Sequence, residues 1–242
     1  VLAAQEIAGR IDLPQPAGAA SAHLSNVLAF DMGGTTAKGA FLSQGAFHVQ
    51  RSLEVARVGT FQPGSGLPLM IPAIDLIEIG AGGGSIATID ERGTIAVGPS
   101  SAGADPGPAC YGRGGTAATL TDANVALGYL SEENFANSGI AVQRSRAEAA
   151  IQSLADRLGT SLERAARGIR ETVNENVARA FRVHAGELGI DYRRYALVCT
   201  GGSAPLHAAE IARTLSIKTV AFPFGAGVSS AVDLSRAATS GV

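Results

Sequence analysis

The chain has 242 residues, of which 46% are hydrophobic and 17% charged, and its net charge is -2. This composition is typical of a globular protein with a sizeable core, and so small a net charge gives no electrostatic reason to expect a nucleic acid or an anionic membrane as partner. There is no signal-peptide pattern and no apolar run near the roughly 20 residues of a transmembrane helix, and Cys110 and Cys199 lie far apart, so we expect a cytoplasmic protein with free thiols.

Strands dominate the predicted first half of the chain, after a helix over residues 2–11. Apolar and β-branched runs predict strands over residues 27–30, 37–42, 48–58, 71–79, 86–89 and 94–97. Gly45 lies between the second and third of these runs, as in an antiparallel pair. A turn-forming tetrapeptide separates the last two runs, which predicts a hairpin. Residues 60–68 are rich in Gly and Pro and predict a loop.

Helices dominate the second half. A short helix capped by Thr121 or Asp122 is predicted first, because either side chain can accept hydrogen bonds from the free amides of a first turn. Helices over residues 144–158 and 161–188 follow, and the second has apolar residues at spacings of three and four. The last predicted elements are a strand over residues 195–198, a helix over 205–215 and a strand over 217–222. This order of strand, glycine loop, helix and strand fits an α/β fold.

The first site-like segment is a loop formed by Asp31, Met32, Gly33, Gly34, Thr35, Thr36, Ala37 and Lys38. Two adjacent glycines let the backbone approach a phosphate, the threonine hydroxyls add donors, and an aspartate at the end of a strand can bind Mg²⁺ through water. A plain hairpin turn, with glycine at positive φ, is the alternative. The segment is neither a Walker loop nor a dinucleotide fingerprint, because it lacks the Walker spacing and no helix follows it.

A second glycine-rich loop spans residues 80–85 and contains Gly82, Gly83, Gly84 and Ser85. Three successive glycines exceed what a turn needs, and close approach of the backbone to another group is the simplest cause. We therefore interpret these four residues as a candidate ligand-binding loop, with a flexible hairpin connection as the alternative.

The third segment, residues 98–115, consists mainly of Gly, Pro, Ala and Ser and predicts an ordered loop or a mobile lid. Its only charged residues are Asp105 and Arg113. Asp105 could contact a metal or a substrate amine and Arg113 an anion, or the two could form a local salt bridge. The sequence places no base near Cys110, which favours packing over a nucleophilic role for that thiol.

The fourth segment contains Gly201, Gly202 and Ser203, between a predicted strand and helix, where free helix amides favour an anion or a ribose hydroxyl. For His207, a solvated or capping role is favoured over a catalytic one. His184 lies on the apolar stripe of the long helix and is predicted to be a satisfied core histidine. No pair of histidines has the spacing of a zinc site.

Taken in order, these segments resemble the hydantoinase A family, whose members include ATP-dependent hydantoinases, 5-oxoprolinase and the carboxylases of acetone and acetophenone. The resemblance is carried by the sequences FDMGGTTAK, IEIGAGGGSIA, VGPSSAGADPGPACYGRGG, LTDAN and GGSAPLHAAEIA. It implies an α/β fold of the actin and sugar-kinase type, which is ribonuclease H-like, with a mixed sheet and a long helix. Residues 1–242 would form a partial hydantoinase A domain, the second of two lobes that close over ATP, with residues 144–188 as a helical segment.

The resemblance also implies roles for the candidate site residues. Asp31 would position Mg²⁺ or water, and Asp31 and Asp105 are the candidate catalytic residues. The nucleotide-binding candidates are Gly33, Gly34, Thr35, Thr36 and Lys38 at the phosphates and Gly201, Gly202 and Ser203 beside the adenosine.

The implied activity is ATP-dependent ring opening of a small cyclic amide such as hydantoin or 5-oxoproline, in which the γ-phosphate activates an oxygen of the ring. The implied partner is a subunit or domain of the hydantoinase B type. An ATP-dependent ketone carboxylase subunit is the alternative. A nucleotide-binding or interaction module that is inactive alone also stays open, because the chain contains one Asp-x-Gly-Gly-Thr motif and begins without Met. We therefore expect a fragment of a larger protein.

Overall fold

A mixed β-sheet with helices packed on it forms the centre of the molecule. The structure is a computed structural model and describes residues 7–9, 24–56, 58, 64–135 and 139–229. The strands in chain order are β1 (Val27–Met32), β2 (Ala37–Ser43), β3 (Ala46–Phe47), β4 (Val49–Gln50), β5 (Leu53–Val55), β6 (Leu67–Leu69), β7 (Ala73–Ile74), β8 (Leu76–Ile79), β9 (Ser85–Ile89), β10 (Ile95–Ser101), β11 (Ala196–Thr200) and β12 (Val220–Ala221). The helices are α1 (Leu120–Ala126), α2 (Glu132–Phe135), α3 (Arg144–Leu158), α4 (Leu162–Glu187) and α5 (Ala208–Thr214). No helix among the described residues has both the length and the apolar composition that a bilayer crossing requires.

The central sheet has the strand order β12-β11-β1-β2-β3, and β8 also pairs with β2. Strands β12, β11 and β1 are parallel, whereas β2 is antiparallel to β1, β3 and β8. Parallel strands are stable where both faces of the sheet are covered. Ala29 and Phe30 of β1, which point to opposite faces, are both buried. The predicted α/β class with a mixed sheet and a long helix is therefore observed.

The long helix α4 packs against this sheet. It begins after Ser161, whose side chain accepts a hydrogen bond from the amide of Arg164 and so satisfies one free donor of the first turn. Phe181 of α4 meets Phe30 of β1 edge to face, with 5.6 Å between the ring centroids. Gly39 of β2 makes room for Phe181, because a methyl group at that position would overlap the ring. The contact fixes the helix against the strand that ends at Asp31.

Helices α3 and α4 confirm the helices predicted over residues 144–158 and 161–188. The predicted hairpin is also confirmed, since β9 and β10 are antiparallel. Asp90 forms its turn by accepting hydrogen bonds from the amides of Arg92 and Thr94, at 3.0 and 2.8 Å. These elements are set by local patterns and local turn chemistry, which a sequence displays directly.

The start of α1 differs from the prediction. Its N-cap is Thr119, whereas Thr121 or Asp122 was expected. Asp122 occupies the third helical position and closes a capping box, in which each of the two side chains accepts a hydrogen bond from the backbone amide of the other. The helix therefore begins two to three residues earlier than predicted.

The strands predicted over residues 48–58 and 71–79 are broken into shorter pieces. Residues 48–58 contain β4 and β5, which pair with β7 and β6 outside the central sheet. Strand β6 also replaces the end of the loop predicted over residues 60–68. Strand length in such a ribbon depends on the partner strand, so a local apolar run overestimates it.

Further differences fall near the glycine-rich segments and the chain ends. Strand β10 extends to Ser101, so the predicted loop over residues 98–115 begins as a strand, and it contains a short 3-10 turn at Ala109–Tyr111. The helix predicted over residues 205–215 is a 3-10 turn at Ala204–Leu206 followed by α5, and only β12 forms in residues 217–222. The helix predicted over residues 2–11 lies outside the described residues except for 7–9.

Candidate functional site

Four polar residues form a row across the central sheet at the carboxyl ends of β1 and β11. Asp31 pairs with Thr200 on one side and with Lys38 on the other, and Lys38 pairs in turn with Glu78. Side chains of directly paired residues lie on the same face of a sheet. Thr200 Oγ1 donates a hydrogen bond to Asp31 Oδ2 at 2.8 Å, and Lys38 Nζ lies 3.4 Å from Glu78 Oε1. We call these residues the polar row.

The loop between β1 and β2 closes with a hydrogen bond from the amide of Gly33 to the carbonyl of Thr36, at 3.1 Å. Gly34 and Thr35 are exposed at its tip. A methyl group built on Gly33 or Gly34 would meet nothing within 4 Å. Among the described residues, the amides of Gly34 and Thr35 have no hydrogen-bond partner. The tip of this loop is therefore open and presents donors to the space above it.

The second glycine-rich loop packs directly against the first. The amide of Gly83 donates to the carbonyl of Gly33 at 3.0 Å, and the amide of Gly84 donates to the carbonyl of Gly34 at 2.6 Å. A methyl group on Gly82 would lie 2.5 Å from the backbone nitrogen of Thr35. The close approach that three glycines indicated is thus observed, and the group approached is the neighbouring backbone. A ligand-binding role for Gly82, Gly83, Gly84 and Ser85 stays a prediction.

The loop that follows β11 contains Gly201, Gly202 and Ser203, and we call it the third glycine loop. It lies on the opposite side of the end of β1. The amide of Ser203 donates to the carbonyl of Met32 at 2.9 Å. Gly201 has φ of +84°, and a methyl group there would lie 2.5 Å from the Met32 carbonyl oxygen, so glycine is required for both reasons. Gly202 is exposed, faces open space, and its amide has no partner in the described part of the chain. Three of the four segments singled out in the sequence thus meet at the end of β1.

The remaining segment, residues 98–115, is attached to α1 by Asp122. This buried carboxylate accepts hydrogen bonds from the amides of Ala109 at 3.2 Å and Cys110 at 2.8 Å, in addition to those of its capping box with Thr119. Burial, and next the charge of Asp122, raise the pKa of the Cys110 thiol far above its usual range. Cys110 is therefore a packed, protonated side chain, as predicted. Sequence reasoning missed Asp122 as an anchor and assigned it only to the helix cap.

Asp105 and Arg113 are both exposed. Asp105 lies in a turn closed by a hydrogen bond from the amide of Gly107 to the carbonyl of Ala102, at 3.2 Å. The amide of Ala102 donates to the carbonyl of Gly84 at 2.8 Å, so this turn adjoins the second glycine-rich loop. Arg113 follows the 3-10 turn that contains Tyr111. The structure thus places the turn of Asp105 next to the second glycine-rich loop and does not bring Arg113 into the hydrogen bonds of that loop.

The two histidines of the helical region differ from expectation. His207 was predicted to be solvated or to cap a helix. It occupies the N-cap position of α5, but its side chain makes no capping hydrogen bond. It is instead fully buried between Asn174 and Asn124, with ring nitrogens 2.8 and 3.3 Å from their side chains. Burial, and next the nearby Arg170, lower its pKa to about 3. His184 is buried as predicted, but its Nε2 has no hydrogen-bond partner within the described residues. One signal in the sequence could have indicated this. Arg170 and Asn174 are polar residues next to the apolar stripe of α4, and polar residues at such positions need buried partners.

Comparisons with known proteins agree on one family. Residues 16–240 match the family model described as hydantoinase/oxoprolinase. The chain is 40% identical over 201 residues to the caprolactamase subunit alpha of Pseudomonas jessenii, an alignment that covers 83% of this chain and 28% of that subunit.

Two solved structures have the same fold. The crystal structure of the ATP-dependent caprolactamase from Pseudomonas jessenii superposes with a TM-score of 0.73 at 38% identity, over 86% of this chain and 29% of that one. The nucleotide-free structure of acetone carboxylase superposes with a TM-score of 0.76 at 28% identity, over 86% of this chain and 28% of that one.

The chain thus spans less than a third of the length of each of these relatives. Together with the mixed sheet and the long helix, the superpositions confirm the actin-like and sugar-kinase-like fold class that the sequence motifs implied. Because the family model covers nearly all of the sequence, the chain belongs to the hydantoinase/oxoprolinase family.

Proposed function

We propose that this chain provides the phosphate-binding lobe of an ATP-dependent enzyme that opens a cyclic amide such as hydantoin or 5-oxoproline. One observation carries the proposal: three glycine loops meet around the polar row, and their exposed amides at Gly34, Thr35 and Gly202 have no partner among the described residues. Exposed backbone amides beside a lysine are the groups that bind phosphate oxygens.

The residues present fit ATP. The amides of Gly34 and Thr35 and the hydroxyls of Thr35 and Thr36 would surround the phosphates, with Lys38 at the base of the loop. Gly33, whose own amide closes the loop, would let the phosphates approach the backbone. Gly201, Gly202 and Ser203 would flank the adenosine from the other side of the β1 end. Bound ATP would supply the phosphoryl group whose transfer to the amide oxygen makes the amide carbon reactive toward water. The role of the chain is to orient the phosphates by preorganised donors, which requires no movement of the three interlocked loops.

Asp31 fits a magnesium ion that arrives with the nucleotide. It is half-buried at the end of β1 and oriented by the hydroxyl of Thr200. No group of three or more His, Cys, Asp or Glu side chains that could bind a metal occurs within residues 7–9, 24–56, 58, 64–135 and 139–229. Mg²⁺ commonly uses one or two carboxylates, water and phosphate oxygens. We therefore propose that Asp31 binds Mg²⁺ through water and only when nucleotide is present.

The other candidate residues complete the proposed site. Asp105, in the exposed turn next to Gly84, would contact the substrate or the metal, and Arg113 would contact an anionic group. Gly82, Gly83, Gly84 and Ser85 would shape the wall that the substrate meets. The proposed compartment is the cytoplasm.

The relatives include both amide hydrolases and carboxylases. The chain is 40% identical to the caprolactamase subunit alpha and 37% identical to the acetophenone carboxylase gamma subunit of Aromatoleum aromaticum, and amide hydrolysis is placed first because the caprolactamase is the more similar of the two. We propose that residues 1–242 form the second of two ATPase lobes and work with a partner subunit of the hydantoinase B type, because the caprolactamase relative is named as a subunit. A ketone carboxylase subunit is the alternative, and it is supported by the acetone carboxylase superposition.

Calorimetric titration with ATP and Mg²⁺, followed by measurement of phosphate release with hydantoin or 5-oxoproline, tests the proposal. We expect Asp31→Ala to abolish metal-dependent ATP binding and to lower phosphate release by at least about a hundredfold, the order expected when one group that stabilises developing charge is removed. Asp156→Ala removes an exposed carboxylate from α3 and is the matched control, which should behave as the unmodified chain.

The alternatives give different results. Binding without substrate-dependent phosphate release indicates a nucleotide-binding module that needs its partner, and phosphate release that depends on a ketone and bicarbonate indicates the carboxylase. If the chain takes up no ATP at millimolar concentration, or if Asp31→Ala retains full activity, the role proposed for this loop is wrong.

A further inference from the structure

Five polar side chains form a closed ring of hydrogen bonds behind the glycine loops. Arg170 donates to Asn124 Oδ1, Asn124 Nδ2 lies 3.3 Å from His207 Nε2, and His207 Nδ1 lies 2.8 Å from Asn174 Oδ1. Asn174 Nδ2 donates to Glu210 Oε2, and Glu210 Oε1 accepts from Arg170 at 3.0 Å. We call Arg170, Asn124, His207, Asn174 and Glu210 the polar ring.

The chemistry of Arg170 and Glu210 sets the direction of every hydrogen bond in the ring. A guanidinium can only donate, so the group of Asn124 that faces Arg170 is its carbonyl oxygen and its NH₂ faces His207. A carboxylate can only accept, so Asn174 turns its NH₂ to Glu210 and its oxygen to His207. His207 must therefore carry its proton on Nδ1 and accept at Nε2. All ring bonds are then satisfied at once.

The ring joins three elements that are distant in sequence. Asn124 belongs to α1, Arg170 and Asn174 to α4, and His207 and Glu210 to the segment that contains α5. Arg170 is 3% exposed and His207 is fully buried. Arg170 also lies over the ring of Tyr129, with 3.8 Å from its guanidinium carbon to the ring centroid. Buried polar groups whose partners are all in place rigidify the elements that they connect.

The polar ring is connected to the glycine loops at two places, near Asn124 and at Arg170. One turn before Asn124, Thr121 donates its hydroxyl and its amide to the carbonyl of Gly83, at 2.8 and 2.7 Å. On the other side, Arg170 donates to the carbonyl of Leu206 at 3.0 Å, in the 3-10 turn that follows Ser203. Displacement of α1 or of this turn would therefore change the spacing between the second and third glycine loops.

We propose that Arg170 is a positioning residue for the phosphate site, and that it acts through the polar ring to set the separation of the loops that contain Gly83 and Ser203. The effect on nucleotide rests on the proposed function, whereas the effect on the loops does not. The hydrogen bonds described here connect the ring to the two loops, so it acts on the site through loop geometry.

Hydrogen exchange of single backbone amides tests the proposal without any ligand. Arg170→Met removes three hydrogen bonds that the guanidinium donates. The amides of Gly83, Gly84 and Ser203, which cross between loops, should then exchange at least about tenfold faster, the change expected if the loops lose as much stabilisation as one charge-assisted hydrogen bond contributes. The amide of Asp90 in the β9–β10 hairpin should not change. Arg167→Met is the matched control, because Arg167 lies on the same helix and forms only an exposed ion pair with Glu163.

Nucleotide binding provides the second measurement. Where the unmodified chain binds ATP and Mg²⁺, Arg170→Met should weaken binding by about tenfold and Arg167→Met should not. Arg170→Lys keeps the charge but lacks the planar fork, so it should restore less than half of the lost affinity. If the unmodified chain binds no ATP, the proposed function fails, while amide exchange still decides the role of Arg170.

A milder variant covers the case in which Arg170→Met does not fold. Glu210→Gln replaces one acceptor by an NH₂ group that faces Asn174, and it should give the same selective acceleration at Gly83 and Ser203. The nitrogen-15 shifts of His207 should show a neutral ring protonated at Nδ1. The proposal is overturned if both variants leave these amides unchanged or accelerate all amides equally, or if His207 is protonated at Nε2.

Discussion

Two runs of glycine meet at the site and have opposite surroundings. Gly33 and Gly34 lie in a loop whose tip is open, and a methyl group at either position would contact nothing. Gly82, Gly83 and Gly84 are buried, and a methyl group on any of them would come within 3 Å of a neighbouring atom. Both runs resemble ligand loops in the sequence. In the first run glycine leaves the backbone open to the space above the loop, and in the second run it allows two backbone segments to pack closely.

The difference shows how the open run keeps its shape. A loop with exposed amides and no side-chain packing would be mobile by itself. The buried run donates two backbone hydrogen bonds to the carbonyls of Gly33 and Gly34, which leaves the opposite side of that loop free. The second run is therefore the support of the first, and the two should respond differently to the same substitution.

The largest effect is expected for Gly82→Ala. The added methyl group would lie 2.5 Å from the backbone nitrogen of Thr35, and backbone on both sides cannot move away without breaking the contacts between the loops. We expect a loss of about 3 kcal/mol in the free energy of unfolding, the upper part of the range for overpacking. Chemical denaturation followed by circular dichroism measures it.

Gly186→Ala is the control for this substitution. Gly186 is exposed near the end of α4, and a methyl group there meets nothing within 4 Å. Alanine in a helix is favoured over glycine by up to about 1 kcal/mol, so this variant should be unchanged or slightly more stable. Equal stability of Gly82→Ala and the unmodified chain would show that the second loop does not pack as described.

The sequence was sufficient for elements and loops that depend on local patterns. Helices α3 and α4 and the β9–β10 hairpin follow from apolar spacing and turn residues within each segment. The position of Asp31 at the end of a buried strand also followed from its neighbours. The packing of Gly82 on Thr35 did not, because it depends on how β8 pairs with β2, a contact between distant parts of the chain.

The burial of His207 was unpredictable for the same reason. Its partners Asn124 and Asn174 lie 83 and 33 residues away in the sequence. Locally, a histidine after a glycine and proline turn has the pattern of a solvated or capping residue. Only the packing of α1, α4 and α5 against one another turns it into a core residue.

A lower pH is expected to have an intermediate effect on the free energy of unfolding. The group responsible is His207, which follows the third glycine loop in the chain. Burial, followed by Arg170, lowers the pKa of His207 to about 3, from an ordinary value of 6.5. The unfolded chain therefore takes up a proton at a higher pH than the folded chain. The resulting stabilisation is complete above pH 6.5 and is lost as the pH falls toward 3, by about 1.4 kcal/mol for each pH unit.

Denaturation of the unmodified chain and of His207→Gln at pH 7 and pH 5 measures this contribution. Between these values the unmodified chain should lose about 2 kcal/mol more than the variant. His48→Gln is the control and should keep the steeper pH dependence, because it leaves His207 and its partners in place. The same pH dependence in the unmodified chain and in His207→Gln would mean that this histidine is not neutral and buried in the folded protein.

The smallest effect on stability is expected for Gly33→Ala, and it tests the open side of the comparison. The backbone of Gly33 has no positive φ and its surroundings are empty, so the free energy of unfolding should change by less than about 1 kcal/mol. A methyl group on the open side would nevertheless occupy space that the phosphates need. Titration with ATP and Mg²⁺ should therefore show at least about tenfold weaker binding in a chain of normal stability. A variant that unfolds as easily as Gly82→Ala would mean that both glycine runs serve packing, and one that binds ATP normally would move the phosphates away from this loop.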